Sequence, residues 1–202
     1  MIRRIVLVAA LALAASPAFA GSYVLDPAHT QVVFTWNHFG FSNPSAQFGK
    51  VEGTLEFDAA DPTKSSVKVT IPLASVNSNV PKLDEHLQHA DFFDSAKYPD
   101  ATFVSTRVEK GATPQTLKVT GDLSLHGVTR PIVLDVTINK VGEHPMRKAP
   151  AAGFDATTTI ERSQFGIKTY VPMVSDAIKV HITSEAIDAA AFAKGMPPVR
   201  KD

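Results

Sequence analysis

The stretch from Leu117 to Val141 constrains the fold most strongly, because its side chains alternate between apolar and polar with period two. The apolar positions are Leu117, Val119, Leu123 and Leu125 in the first half, and Ile132, Leu134, Val136 and Ile138 in the second. This alternation is typical of half-buried β-strands. Between the halves we expect Gly127 to adopt a positive φ and Pro131 to begin the return strand. The stretch therefore predicts a β-hairpin with a turn over residues 126–131.

The same alternation recurs along most of the chain. Its apolar positions are Val32, Phe34 and Trp36; Val51, Leu55 and Phe57; Val67, Val69, Ile71 and Leu73; Phe154, Ala156, Thr158 and Ile160; and Ile178, Val180 and Ile182. Residues 102–108 are strand-like but of ambiguous phase, and residues 142–153 are predicted to form a Pro- and Gly-rich link. We count about eight strands. Alternation without helices between the strands predicts an all-β fold, and long strands favour a closed antiparallel barrel, because closure removes exposed edges.

Two short helices and an export signal complete the predicted organisation. Residues 82–90 predict a helix across a barrel mouth, and residues 188–194 predict a C-terminal helix that ends at Gly195. Residues 1–20 combine Arg3 and Arg4, an apolar run and a terminal Ala-Phe-Ala, which is the pattern of a secretory signal peptide. We therefore predict cleavage after Ala20, a single barrel domain over residues 21–202, and a periplasmic location.

Composition excludes several classes of function. The full chain carries 20 Lys and Arg and 20 Asp and Glu, so removal of Arg3 and Arg4 leaves a net charge of −2. With no basic cluster, nucleic acid is not an expected partner. The chain contains no cysteine, which excludes disulfides, thiol catalysis and cysteine-based metal sites.

Two polar residues interrupt the predicted inward face. The phase of Val32, Phe34 and Trp36 continues to His38, and the phase of the strand before Arg162 places that arginine inside. An arginine on an apolar face needs a carboxylate or an anionic ligand, unless it ends a strand and reaches solvent. His38 could instead be a core or rim histidine with a structural role, and Trp36 could be an ordinary core residue.

Residues 83–103 are too polar for a core and too aromatic for an ordinary loop, so we expect them to lie across a barrel mouth. His86 and His89 would share a helix face, but two histidines with uncertain carboxylates do not define a zinc site, and we predict no metal. Asp84 is expected to cap the short helix, and Phe92 and Phe93 to anchor the loop. No motif for a catalytic serine is present.

Several short runs together resemble the signature of the YceI-like family of secreted lipid-binding proteins. They are Asp84-Glu85-His86-Leu87, Asp91-Phe92-Phe93-Asp94, Tyr98-Pro99, Phe103, the block from Gly121 to Pro131, and Arg162-Ser163-Gln164-Phe165-Gly166. The resemblance covers nearly the whole chain after the predicted signal. It implies an extended, lipocalin-like barrel whose tunnel holds an isoprenoid chain, such as a polyprenyl phosphate or a quinone tail.

With such a tunnel, the predicted ligand-binding residues are the inward aromatic positions, the polar positions near one end and the mouth loop. They are Phe34, Trp36, His38, Phe57, Asp84, His86, Phe92, Phe93, Phe103, Arg162 and Phe165.

Three functions remain open from the sequence. The leading hypothesis is a periplasmic carrier for an isoprenoid lipid with no cofactor and no chemistry of its own. It would be a monomer or homodimer that serves a membrane-bound quinone-dependent or lipid-handling protein. The second is an enzyme that acts on such a lipid, with His86, His126 or His38 and a carboxylate as acid and base. The third is an outer-membrane barrel, since alternation does not reveal which face is apolar.

Overall fold

The computed structural model describes residues 20–195, most of which lie in β-strands. The strands are β1 Ala20–Leu25, β2 Gln31–Thr35, β3 Ser45–Phe48, β4 Glu52–Asp58, β5 Ser66–Pro72, β6 Val76–Asn77, β7 Asp100–Lys110, β8 Thr116–Leu125, β9 Val128–His144, β10 Ala149–Glu161 and β11 Ala177–Asp188. Two short helices, α1 Pro81–Leu87 and α2 Ala189–Ala193, are also present. The predicted signal peptide before Ala20 lies outside the described residues, so its cleavage stays a prediction.

These eleven strands build one closed, up-and-down antiparallel barrel of eight strands. The number is eight because β1 and β2 together form one barrel strand that is interrupted in the middle. The pairs β3 and β4, and β5 and β6, do the same. Closure comes from β11, which pairs with β1 at Ala186↔Leu25 and with β2 at Ile182↔Val32. The predicted all-β, lipocalin-like barrel of about eight strands with two short helices is confirmed.

The central hairpin forms, but its turn is shorter than predicted. Only His126 and Gly127 connect β8 to β9, with φ values of 52° and 75°. Two successive positive φ angles are typical of a tight two-residue hairpin turn. A Cβ on Gly127 would also lie 2.5 Å from the Tyr98 ring, so this position requires glycine. The predicted turn over residues 126–131 is therefore wrong. Pro131 lies inside β9, in the part of that strand that pairs with β8 but not with β10.

Bulges explain where the alternation was hard to follow. The register of β7 shifts between Ser105 and Arg107, and its buried positions Ala101 and Phe103 precede that shift. After it, Val108 is the residue that faces the interior. The link predicted over residues 142–153 is also wrong, because β9 continues to His144 and β10 begins at Ala149. Glycines at 142 and 153 are accommodated within paired strands, one beside a bulge.

The apolar face of every long strand points into the barrel. The end that carries α1 and the His126–Gly127 turn is called the mouth, and the end that carries α2 is called the base. Buried residues at the base include Tyr23, Leu55 and Phe57. The outer face is polar, as the 2.7 Å ion pair between Lys118 and Asp135 illustrates. No helix in the described range 20–195 has the length and apolar composition needed to cross a membrane.

Candidate ligand-binding cavity

The barrel surrounds a cavity of about 430 Å³ that extends from the base to the mouth. Its wall is formed by the inward positions of the strands, including Leu55 and Phe57 near the base and Phe34 and Trp36 nearer the mouth. The volume lies within the roughly 300–1,000 Å³ of ligand sites in proteins. Many inward residues are only half-buried, because they face the cavity and not another side chain. The interior is therefore hollow and apolar.

Most of the predicted ligand-binding residues line this cavity. They are Phe34, Trp36, His38, Phe57, His86, Phe92, Phe93, Phe103 and Arg162. Phe165 does not line the cavity: it is 1% exposed and packs with Leu73 and Ile167. A short 3-10 turn over Arg162–Phe165 ends the period-two geometry, which places the Phe165 ring in the solid core beside the mouth.

Asp84 does not line the cavity either, and the prediction that it caps α1 is wrong. The helix follows Val80 with no side-chain cap, and Pro81 occupies its first turn. The Asp84 carboxylate accepts hydrogen bonds from the Ser78 backbone N–H at 2.6 Å and from its Oγ at 2.5 Å. Asp84 therefore ties the chain before α1 to the helix.

Arg162 is buried at the mouth end of the cavity wall, with 6% of its surface exposed. Its Nε, Nη1 and Nη2 atoms donate to the carbonyl oxygens of Ser175, Ile167 and Val174 at 3.0, 3.2 and 2.9 Å. Burial lowers the pKa of Arg162, while the charge of Asp176 raises it. The inward placement is as expected, but the partners in the protein are backbone carbonyls and not a carboxylate. Arg162 therefore holds the loop of residues 167–175 against the barrel.

The mouth is covered by aromatic residues of the loop after α1. Phe93 packs against Phe34 and Phe48, with ring centroids 6.1 and 5.9 Å away. Phe92 lies 4.8 Å from the His86 ring and 6.4 Å from the Tyr170 ring. This loop bridges a gap in the wall, because β6 pairs with β3 alone among the described strands.

His86 is joined by two further possible metal ligands. The donor atoms of His86, His89 and Asp91 all lie within 4.8 Å of one another. The His86 Nε2 and Asp91 Oδ2 atoms are 3.3 Å apart, and both side chains are partly exposed. Sequence spacing alone did not reveal that Asp91 approaches His86. The prediction that the chain holds no metal stays a prediction, and this cluster is the place to test it.

The other two histidines considered for catalysis have different surroundings. The Nδ1 atom of His126 lies 2.9 Å from the Phe165 carbonyl oxygen, away from the cavity. His38 is exposed at the rim, beyond the end of β2, where its backbone bridges to Ser42 and Val174. Of these three histidines, only His86 contacts a carboxylate within the described part of the chain.

A buried polar group on the cavity wall was missed by the sequence reasoning. Thr30 and Ser184 line the cavity, and their hydroxyl oxygens lie 3.0 Å apart. The buried Asp26 carboxylate accepts a hydrogen bond from Arg147 Nη2 at 3.3 Å. Burial raises the pKa of Asp26, but the Ala28 N–H, His29 and Arg147 together hold it below its usual range. Strand phase does not bring this group together, because Asp26, His29 and Thr30 lie in the connection from β1 to β2, whereas Ser184 lies on β11 and Arg147 in the β9–β10 turn.

Comparison with known proteins identifies the fold's relatives. The model of the YceI-like domain matches residues 23–186. The chain belongs to the YceI-like family. A UPF0312 protein of Pseudomonas syringae pv. tomato is 42% identical over 177 residues, which cover 87% of this chain and 91% of the relative.

Solved structures show the same YceI-like barrel. The YceI protein of Campylobacter jejuni has a TM-score of 0.69 and 35% identity, over 75% of this chain and 89% of that one. A domain of Saccharophagus degradans described as polyisoprenoid-binding has a TM-score of 0.65 and 13% identity, over 84% of this chain and 99% of that one. At that identity the second likeness concerns the fold alone.

Proposed function

We propose that the protein is a periplasmic carrier that holds an isoprenoid lipid in the barrel cavity. The observation that carries this proposal is the apolar cavity that extends along the barrel to the mouth. Each methylene group moved from water into such a cavity contributes about 0.8 kcal/mol. A long hydrocarbon chain can therefore bind tightly with few polar contacts.

The head group of the lipid belongs at the mouth under this proposal. His38, His86 and Tyr170 line the cavity at that end and offer polar atoms. A guanidinium carries five N–H donors, and Arg162 uses three of its nitrogen atoms on carbonyls. Its remaining hydrogens can reach a phosphate or quinone oxygen. Phe34, Trp36, Phe57 and Phe103 would contact the isoprenoid chain.

The fold comparison supports the class of ligand. The Saccharophagus degradans domain with the same barrel is described as polyisoprenoid-binding. The carrier interpretation also needs no reactive group in the cavity wall, which is mainly apolar. A membrane-bound lipid-handling or quinone-dependent protein would receive the cargo.

An enzyme acting on an isoprenoid lipid is the second candidate, because His86 lies beside the cavity and contacts Asp91. A catalyst would need this pair as acid and base. His86→Ala should then abolish conversion of the bound lipid, whereas a carrier should return its lipid unchanged with or without His86.

The cargo can be identified by native purification, organic extraction and mass spectrometry. We expect an isoprenoid lipid in the extract, and its absence from protein purified from its native source would contradict the proposal. Osmotic shock and N-terminal sequencing of the released protein test the location and the cleavage after Ala20.

A matched pair of variants tests the cavity. Thr158 faces the cavity on β10, and its neighbour Thr157 is exposed on the outside. Thr158→Trp should fill the cavity and weaken binding of a polyprenyl phosphate more than tenfold, whereas Thr157→Trp should bind normally. Equal affinity of both variants, with both folded, would exclude the cavity as the binding site.

A further inference from the structure

Two loops meet at the mouth and form one rim. Residues 37–43 lie in the connection from β2 to β3, and residues 167–175 lie between the 3-10 turn and β11. The Phe39 N–H donates to the Met173 carbonyl oxygen at 2.9 Å, and the Ser175 N–H donates to the Asn37 carbonyl oxygen at 2.9 Å. The two loops are therefore joined by backbone hydrogen bonds at both sides of the contact.

This rim exposes four large apolar side chains. Phe41 is 92% exposed, Met173 58%, Tyr170 51% and Phe39 45%. Phe39 and Tyr170 also have φ values of 54° and 63°, which aromatic residues rarely adopt. Strained backbone of this kind persists where surrounding contacts impose it, and it concentrates at functional sites. The joined loops thus hold apolar side chains in solvent at a conformational cost.

The charge of the rim indicates what it contacts. Residues 37–43 and 167–175 contain Lys168 and no Asp or Glu, and the carboxylate of the next residue, Asp176, accepts hydrogen bonds from the N–H and Oγ of Ser163. The aromatic residues lie at loop tips, which suits insertion of single side chains between lipid head groups better than a flat protein contact. Tyr170 and Val174 of the same loop line the cavity, so the rim borders the mouth end of the cavity.

We propose that this rim docks on the surface of an anionic lipid bilayer, with Phe41 and Met173 inserted among the head groups. Docking would place the mouth directly against the membrane, so that a lipid could pass between bilayer and cavity with little exposure to water. The purpose of docking rests on the proposed lipid-carrier function. The docking itself does not require a lipid in the cavity.

Flotation of the lipid-free protein with vesicles of phosphatidylethanolamine and phosphatidylglycerol tests the proposal. Phe41→Ser should weaken the affinity for the vesicles about tenfold, since burial of a phenylalanine side chain contributes at least that factor to the binding constant. Met173→Ser should weaken it as well. The matched control is Met146→Ser, because Met146 is 57% exposed against 58% for Met173 but lies in the β9–β10 turn at the base. That control should bind like the wild type.

A spectroscopic measurement locates the contact. The chain has no cysteine, so Phe41→Cys and Met146→Cys each accept one environment-sensitive dye. Vesicles should shift the emission of the dye at position 41 to the blue and leave that at position 146 unchanged. With a single lysine in the rim, binding should fall only modestly between low and high salt.

Several outcomes would overturn the proposal. They are no flotation with these vesicles, an equal loss in Met146→Ser, or a dimer that forms instead of vesicle binding and disappears in Phe41→Ser. The last result would assign the rim to a second copy of the chain. Thr158→Trp separates this proposal from the carrier function, because a filled cavity should abolish lipid uptake while vesicle binding persists.

Discussion

The Nη2 atom of Arg162 donates a hydrogen bond to the Val174 carbonyl oxygen at 2.9 Å. Together with its bonds to Ile167 and Ser175, this contact makes one buried guanidinium the anchor of the whole loop 167–175. That loop carries half of the exposed rim and contributes Tyr170 and Val174 to the cavity wall. Arg162 therefore supports the order of the mouth, together with the backbone hydrogen bonds that join this loop to residues 37–43.

Arg162→Leu should destabilise the protein by about 2 to 4 kcal/mol. The change leaves three carbonyl oxygens without their charged donor, and this loss outweighs the gain from removing a desolvated charge. Arg162→Lys should be intermediate, because an ammonium group cannot reach all three oxygens. Chemical denaturation measures the free energy of unfolding of both variants. A more stable Arg162→Leu protein would contradict the anchoring role, and normal affinity for a polyprenyl phosphate in a destabilised variant would exclude a head-group role.

Phe93→Ala should lower the free energy of unfolding by about 3 kcal/mol, the lower end of the range for a buried phenylalanine. The lower value is expected because the Phe93 ring packs on Phe34 and Phe48 but also faces the cavity. Phe41→Ala is the matched control, since its 92% exposure predicts a change within about 0.5 kcal/mol. Equal effects in urea denaturation would show that Phe93 does not anchor the mouth loop.

Stability should decrease in acid through Asp26. Its pKa in the folded state lies below the unfolded value of about 3.9. A carboxylate with a depressed pKa stabilises the fold fully above the unfolded pKa, and this contribution is lost as pH falls through the folded pKa. Asp26→Asn should therefore cost about 3 kcal/mol at neutral pH. The difference from wild type should shrink below about pH 4 in thermal melts.

The control for this prediction is Asp135→Asn. Asp135 forms an ion pair with Lys118, but its side chain is 66% exposed. Removal of an exposed pair changes stability by at most about 1 kcal/mol. A loss in Asp26→Asn that does not depend on pH would show that its packing, and not its charge, matters.

Protein purified in the presence of zinc should hold less than one equivalent after dialysis. Tetrahedral zinc places its ligand atoms about 3.3 Å apart, at bond lengths near 2.0 Å. The cluster of His86, His89 and Asp91 extends to 4.8 Å and is largely exposed. Elemental analysis of wild type and of a His86→Ala, His89→Ala variant measures this. One equivalent in the wild type alone would establish a metal site.

The features that could be predicted from the sequence are those that depend only on neighbouring residues within one strand. Alternation at Leu117 and Val119 or at Ile132 and Leu134 is local, and it correctly located the strands and the apolar interior. The bulge between Ser105 and Arg107 and the start of β9 at Val128 depend on the partner strand, which one segment does not encode. The interruptions within three barrel strands were not predicted for the same reason, because they too depend on the pairing between strands.

The candidate site was predictable to a similar extent. Strand phase correctly placed Phe34, Trp36 and Arg162 on the cavity wall. It could not reveal the partners of Arg162, because backbone carbonyl oxygens have no signature in the sequence. Tyr170 and Val174 belong to a loop without periodicity, so nothing marked them as lining residues. Phe165 was expected to bind the ligand because it belongs to the run of residues 162–166 that resembles the family signature, but the 3-10 turn over Arg162–Phe165 places its ring in the solid core.

The closure of the barrel has a consequence for how the molecule is made. All its other neighbouring barrel strands follow each other in the chain, whereas β11 must find β1 and β2 across the full length of the domain. A partly folded sheet in which residues 177–188 have not yet paired has two free edges, and such edges are vulnerable to aggregation. An enclosed compartment thus comes into existence only when the final strand has paired with both β1 and β2.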